Sequence, residues 1–125
     1  MSTNNNLVET VAQGWALLGA GDFDGLAACY APDMVFVLPG QDDVLEGRDG
    51  FRAALDNIGA ALPPGFDIKA LRYCAGENEV ANVVEWTSTK LPNGSQSVVL
   101  FKFDDAGQIT EERWFVDTEQ WKAAF

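Results

Sequence analysis

The sequence predicts an α+β fold in which a strongly curved antiparallel sheet packs on three N-terminal helices and leaves an apolar pocket inside. Apolar residues recur at helical spacing in most of the first half and at alternate positions after residue 65, which indicates helices followed by strands. Short polar turns separate the alternating segments, and such turns favour an antiparallel meander. No linker interrupts the 125 residues, so we expect residues 1–125 to form one domain.

Three helices are predicted in the first half of the chain. Asp22 can cap the second helix, over Phe23–Tyr30, which Pro32 ends, and Gly47 opens the third. The first helix precedes Gly21, a plausible stop, and its apolar residues are Leu7, Val8, Val11, Trp15 and Leu18. The apolar face of the third helix consists of Phe51, Leu55 and Ile58.

Five strands are predicted, one between the second and third helices and four in the second half of the chain. They cover Met34–Leu38, Phe66–Ala75, Glu79–Thr89, Ser95–Phe103 and Gln108–Val116. The segment Ser97–Phe103 is apolar on both alternating faces, so neither face is expected to meet water. One face can pack on the helices, and we expect a homodimer, formed sheet to sheet, to cover the other.

Composition excludes several classes of function. The net charge of −11 argues against nucleic acid or an anionic membrane as a partner, because phosphate binding needs a basic surface. No apolar run is long enough to span a membrane, and we expect a cytoplasmic protein with Cys29 and Cys74 reduced. The chain contains no histidine, so any proton chemistry has to use carboxylates, tyrosine, lysine or water.

No metal or cofactor is expected. The loop Gln41–Glu46 carries Asp42, Asp43 and Glu46, which could form a cation site or a solvated rim. These acidic residues lack the regular oxygen-ligand spacing of a calcium loop, which favours the rim. The glycines show neither a dinucleotide-binding nor a phosphate-loop pattern.

Three segments carry a resemblance to a known family. Residues Ala20–Asp33 resemble the second-helix signature of the nuclear transport factor 2-like superfamily, and Leu45–Arg48 resembles its entry to the third helix. Residues Phe101–Glu112, continuing through Asp117, resemble the final hairpin of the SnoaL-like group. The resemblance implies a cone between sheet and helices, which the ketosteroid isomerases and SnoaL-like cyclases use for proton transfer on hydrophobic carbonyl compounds.

Most catalytic residues of these relatives are missing here. The resemblance places the isomerases' oxyanion-donating tyrosine at Gly14, their general base at Leu38 and their protonated aspartate at Val99. Only Tyr30 matches, at the position of a tyrosine that supports the oxyanion donor in some isomerases. Cyclisation of the SnoaL type usually also uses a histidine, and no residues match the Asp-Arg-Asp arrangement of limonene-epoxide-hydrolase-like enzymes.

Two carboxylates remain as candidate bases. Glu112 shares one face of the last strand with Thr110, Trp114 and Val116, and the resemblance implies that this face lines the cone. Glu112 could instead be solvated at the mouth or pair with a basic neighbour, Arg113 or Lys102. Asp117 ends the strand and could also act as a base, or Asp117–Gln120 could be a capping box that opens a final short helix.

The remaining candidates would bind the ligand. The expected wall consists of Trp15, Phe36, Leu38, Leu55, Val84, Trp86, Val99, Phe101 and Trp114, although each of these side chains could simply fill the core. Tyr30 and Asn82 would orient a carbonyl or hydroxyl group, or else satisfy a backbone group. We expect a hydrophobic oxygenated small molecule as the partner, with isomerisation, cyclisation or hydration as the reaction. The alternative is a non-catalytic binding or dimeric accessory domain.

Overall fold

The computed structural model of the chain describes residues 3–39 and 43–125. In the described part the helices are α1 (Thr3–Ala20), α2 (Phe23–Ala27), α3 (Arg48–Leu55), α4 (Ile58–Ala61) and α5 (Thr118–Ala123). The strands are β1 (Tyr30–Val37), β2 (Val44–Glu46), β3 (Asp67–Gly76), β4 (Glu79–Thr87), β5 (Ser95–Phe103) and β6 (Ile109–Phe115).

The six strands form one curved, unclosed sheet in the order β2-β1-β6-β5-β4-β3, packed against the helices. The predicted α+β class is confirmed, and β3 to β6 form the predicted antiparallel meander. The sheet is not antiparallel throughout, because β1 runs parallel to β6. Two helices and four strands separate β1 from β6 along the chain, so no tight hairpin imposes an antiparallel direction on them.

The start of β1 differs from the sequence prediction. The second helix ends at Ala27 rather than at Tyr30, and Tyr30 already pairs with Ile109 of β6. The register then shifts between Tyr30 and Val35, and Pro32 lies in this irregular stretch. A proline has no N–H to donate, so it fits where the hydrogen-bond ladder is interrupted. Pro32 therefore lies within the strand and does not mark the end of the helix.

The region after β1 also departs from the prediction. The segment expected to be an acidic loop contains β2, which pairs antiparallel with β1, while Asp42 falls outside the described residues. The expected third helix is divided into α3 and α4, separated by Asp56 and Asn57. Of its predicted apolar face, Phe51 and Leu55 belong to α3 and Ile58 begins α4.

The sheet buries one face against the helices. On β4 and β5 the buried and less buried residues alternate, as a period of two predicts. On β6 the register shifts opposite Lys102 and Phe103, so Ile109 and Glu112 are both buried although they are three residues apart. Among the described helices none has the length and apolarity of a membrane-spanning segment, and both cysteines are free thiols.

Candidate functional site

A cavity of about 180 Å³ lies between the helices and the buried face of the sheet. All five described helices contribute to its wall, together with the strands β1, β2, β3, β5 and β6. Eight of the predicted site residues line it: Trp15, Tyr30, Phe36, Leu38, Leu55, Phe101, Glu112 and Trp114. The wall is aliphatic and aromatic almost throughout, so its few polar side chains determine how a ligand would be oriented.

Among the described residues that line this cavity, Glu112 carries the carboxyl group. On the sheet it lies between Phe36 of β1 and Phe101 of β5, and 5% of its surface is exposed. The Tyr30 hydroxyl donates a hydrogen bond to Oε1, and the Trp114 indole N–H donates one to Oε2 at 2.7 Å. Burial raises the pKa of Glu112 to about 7, although both hydrogen bonds favour the charged form.

The basic residues near Glu112 are oriented away from it. Arg113 Nε lies 3.0 Å from Glu111 Oε2, and Lys102 Nζ lies 4.0 Å from the same oxygen. The ion pair foreseen as an alternative for Glu112 therefore forms at its neighbour, which faces the other side of β6. Among the described residues that line the cavity, Tyr30 and Glu112 are the titratable ones.

Tyr30 is held in place by helix α3. Its ring packs against Phe51 with a centroid distance of 4.5 Å, and Arg48 donates to its backbone carbonyl at 3.2 Å. Burial, followed by the charge of Glu112, raises the pKa of Tyr30 well above its ordinary value. The hydroxyl consequently keeps its proton and remains available as a donor.

Trp15 forms the wall contributed by α1. Its ring meets Phe101 and Trp114 edge to face, with centroid distances of 6.2 and 6.1 Å. Its indole N–H donates to Asn82 Oδ1 at 2.7 Å, and Asn82 Nδ2 donates to the Arg72 carbonyl at 2.9 Å. The Asn82 amide is therefore occupied by the Trp15 indole and a backbone carbonyl. This matches the alternative that Asn82 satisfies a backbone group and does not orient a ligand.

Four of the predicted ligand-binding residues do not border the cavity: Asn82, Val84, Trp86 and Val99. All are fully buried on the predicted face of the sheet, so the alternation identified their orientation correctly. Other side chains cover two of them: Trp15 donates to Asn82, while Phe66 and Trp121 pack on Trp86 with centroid distances of 6.0 and 5.2 Å. A two-residue period finds the inner face but not the layer that lies on it.

Asp117 lies away from the cavity and caps helix α5. Its carboxylate accepts a hydrogen bond from the backbone N–H of Gln120 at 3.1 Å, and the residue is exposed. This geometry matches the capping interpretation of Asp117–Gln120. Asp117 lines no part of the cavity, so its position offers no route to a ligand bound there.

Several cavity residues were not singled out from the sequence as binding residues. Phe51, Ile58 and Leu18 had been assigned only to helix faces, and Phe66 and Trp121 were not considered for the site. Trp121 and Phe125 are four residues apart and pack edge to face, with centroids 5.6 Å apart. That spacing is the signal of an apolar helix face and could have indicated that α5 folds back on the sheet.

A family model described as a SnoaL-like domain matches residues 11–112. The chain belongs to the SnoaL-like domain family. Among curated proteins, none matches this SnoaL-like chain in sequence.

Solved structures share the fold of this SnoaL-like protein. A nuclear transport factor 2-like protein from Burkholderia xenovorans has a TM-score of 0.73 at 20% identity, with 98% of each chain covered. An LEH-like epoxide hydrolase from M. tuberculosis has a TM-score of 0.77 at 21% identity, covering 98% of this chain and 92% of that one. SalBIII, an epoxide hydrolase/cyclase-like enzyme with a role in pyran ring formation in the polyether salinomycin, has a TM-score of 0.77 at 23% identity. The alignment covers 95% of this chain and 96% of that one.

Gly14 leaves space in the cavity of this SnoaL-like protein. It is a buried residue of α1 that lines the cavity, and an added Cβ would meet Leu26 Cδ1 at 3.6 Å, an ordinary contact. We expect Gly14→Ala to raise the free energy of unfolding by about 0.5–1 kcal/mol, because alanine favours the helix. Urea denaturation measures this gain.

Gly19→Ala is the matched control for Gly14→Ala. Gly19 belongs to the same helix, and its added Cβ would meet nothing within 4 Å. A ligand confined to the cavity of about 180 Å³ is expected to bind Gly14→Ala more weakly and Gly19→Ala unchanged, because Gly14 lines that cavity and Gly19 does not. Equal affinity for both variants would show that ligands do not reach Gly14.

Proposed function

We propose that this SnoaL-like protein binds an uncharged, hydrophobic, oxygenated small molecule in the cavity and uses Glu112 as the acid or base in its isomerisation, cyclisation or hydration. The observation that carries the proposal is a buried carboxyl group with a pKa of about 7 on the wall of an otherwise apolar cavity. At neutral pH such a group is present in both forms, so it can accept or return a proton.

The charge of the ligand follows from the wall. No lysine or arginine is among the described residues that line the cavity, so nothing there would neutralise a carboxylate or phosphate. Glu112 in its charged form would repel an anion directly, and the net charge of −11 acts in the same direction. We therefore infer a neutral ligand.

The volume of the cavity limits the size of the ligand. An engineered cavity of about 150 Å³ is known to hold benzene, so about 180 Å³ suits a compound with one ring and a few substituents. A second, open pocket of about 310 Å³ shares Trp15, Phe66 and Ile68 with the first. A longer ligand could extend into it.

Turnover by the Glu112→Gln variant tests the proposed chemistry. We would incubate the protein with one-ring epoxides, unsaturated ketones and hydroxy-epoxides and follow the products by NMR. Glutamine has nearly the same shape as glutamate but cannot act as a general acid or base at neutral pH. General acid–base catalysis contributes about 100-fold or more to a rate, so we expect turnover to fall at least about 100-fold. Ligand binding is expected to persist.

Glu111→Gln is the control for this experiment. Glu111 is the next carboxylate on β6, but it pairs with Arg113 on the other side of the sheet. We expect its turnover to equal that of the wild type. If Glu112→Gln retained full turnover, Glu112 would be removed from the mechanism. If no compound were converted while ligands bound, the alternative of a non-catalytic binding domain would be favoured.

We further propose that the outer sheet face forms a homodimer. Val98 and Leu100 of β5 are half-buried on that face, and Phe115, which pairs with Val98, is 41% exposed. An apolar face of this kind is favourably covered by a second copy. We expect a dimer at micromolar concentration in analytical ultracentrifugation and a monomer for Val98→Glu. A wild-type monomer would contradict this interface.

A further inference from the structure

The two donors on Glu112 determine which of its oxygens can carry a proton. The Trp114 indole can only donate a hydrogen bond, so Oε2 has to accept in both charge states of the carboxyl group. A proton on Oε2 would find no acceptor in the indole, whereas a proton on Oε1 can be donated to the Tyr30 hydroxyl, which can turn to accept it, so Oε1 is the favoured site of protonation. The proton is confined to the Tyr30–Glu112 pair, and this pair lines the cavity.

The two charge states of this pair present different atoms to a ligand. When Glu112 is ionised, the Tyr30 hydrogen bonds to Oε1, and the pair offers only lone pairs. When Glu112 is protonated, the pair holds two hydrogens and needs only one of them for its internal bond. Either the Tyr30 hydroxyl or the new Oε1–H can then turn to the cavity. One proton thus converts the pair from an acceptor into a donor.

Few other side chains of the cavity wall could form hydrogen bonds with a ligand. The Trp15 N–H is used by Asn82 at 2.7 Å, and the Thr10 hydroxyl donates to the Asn6 carbonyl at 3.0 Å. Apart from the Trp121 indole of α5, the other described lining side chains are apolar or belong to the Glu112 cluster. The pair therefore sets the hydrogen-bonding character of the cavity near β6.

The titratable and charged groups around the pair do not enter the cavity. Cys29 precedes Tyr30, and its thiol adds slightly to the raised pKa of that hydroxyl. Arg48 of α3 bonds to a backbone carbonyl of β1. On β6 and β5, Glu111 and Arg113 pair with each other, and Lys102 approaches Glu111. On α2 and α3, Asp24, Arg52 and Asp56 form ion pairs at the surface.

We propose that the proton on the Tyr30–Glu112 pair selects the ligand: the protonated pair binds hydrogen-bond acceptors such as ketones and epoxides, and the ionised pair binds donors such as alcohols. The inference rests on the proposed function for the location of the site, but it concerns binding and needs no turnover. A buried polar group of the ligand that finds no partner weakens binding, so the selectivity is expected to be about tenfold or more.

The test compares cyclohexanone and cyclohexanol, which have the same ring and differ in the hydrogen of the oxygen. Dissociation constants would be measured by NMR titration at about pH 5.5 and about pH 8.5, on either side of the Glu112 pKa of about 7. We expect the ketone to be preferred at the lower pH and the alcohol at the higher pH, so that the ratio of the two constants changes about tenfold or more.

Two variants separate this explanation from a general effect of pH. In Glu112→Gln the amide oxygen can accept from Trp114 while the amide N–H donates to Tyr30, so the Tyr30 hydrogen faces the cavity at every pH. We expect a ketone preference that does not change with pH. In Tyr30→Phe the pair has no hydroxyl, and the proton of Glu112 itself faces the cavity. We therefore expect the ratio of the two dissociation constants still to change with pH, but by a different factor from the wild type.

Three results would overturn the inference. The first is a ratio of dissociation constants that is the same at both pH values in the wild type. The second is a Glu112→Gln variant whose ratio still changes with pH. The third is that neither cyclohexanone nor cyclohexanol binds at either pH. Chemical-shift spectra of each variant check that it is folded. A failed turnover screen would not by itself affect these outcomes, so the two proposals can fail separately.

Discussion

The free energy of unfolding is expected to fall by about 3 kcal/mol as the pH rises from about 4.5 to above 7, and Glu112→Gln is expected to remove most of this fall. Glu112 has a pKa of about 7 in the folded protein against an ordinary value of 4.5. Between these values the folded chain holds a proton that the unfolded chain has lost. The stabilisation is complete below pH 4.5 and is lost as the pH rises through 7.

Urea denaturation over a series of pH values measures this dependence. The informative quantity is the difference between the wild type and Glu112→Gln, because the other carboxylates contribute equally to both. Glu111→Gln serves as the control, because it removes the neighbouring carboxylate of the same strand, which pairs with Arg113 on the outer side of β6. Parallel curves for the wild type and Glu112→Gln would mean that Glu112 ionises freely in the folded protein.

The alternation of residues was the most reliable signal in the sequence. A period of two correctly placed Asn82, Val84, Trp86 and Val99 on the buried face, and the short polar turns predicted the meander. The parallel pairing of β1 with β6 could not be predicted in this way, because it joins segments about 80 residues apart and leaves no local trace. Pro32 was misinterpreted for a related reason, since its effect depends on a gap in that ladder.

The candidate site was predictable in part. The resemblance and the alternation together brought Glu112 to the inner face, and Tyr30 was noted as a polar residue of the same cone. Their mutual contact was not foreseen, because they are 82 residues apart and meet only through the pairing of β1 with β6. The roles of Asn82 and Trp86 also depended on a second layer, formed by Trp15 and α5, that no strand pattern reveals.

Trp86→Ala is expected to lower the free energy of unfolding by about 3–5 kcal/mol, the usual range for removing a buried tryptophan. Trp86 is fully buried, and its indole N–H donates to the Ser97 hydroxyl at 3.0 Å. It is also the surface on which Trp121 of α5 packs, with ring centroids 5.2 Å apart. The substitution should therefore weaken the sheet and release the helix that closes one side of the cavity.

Two measurements separate these effects of Trp86→Ala. Urea denaturation gives the loss of stability, and hydrogen exchange reports on α5 through the amides of Trp121 and Ala124, which bond within that helix. Trp86→Phe is the control: it keeps an aromatic ring under Trp121 and loses the bond to Ser97, so we expect a smaller loss and little change in exchange. If Trp86→Ala left exchange in α5 unchanged, the helix would be held by other contacts, such as that between Trp121 and Phe66.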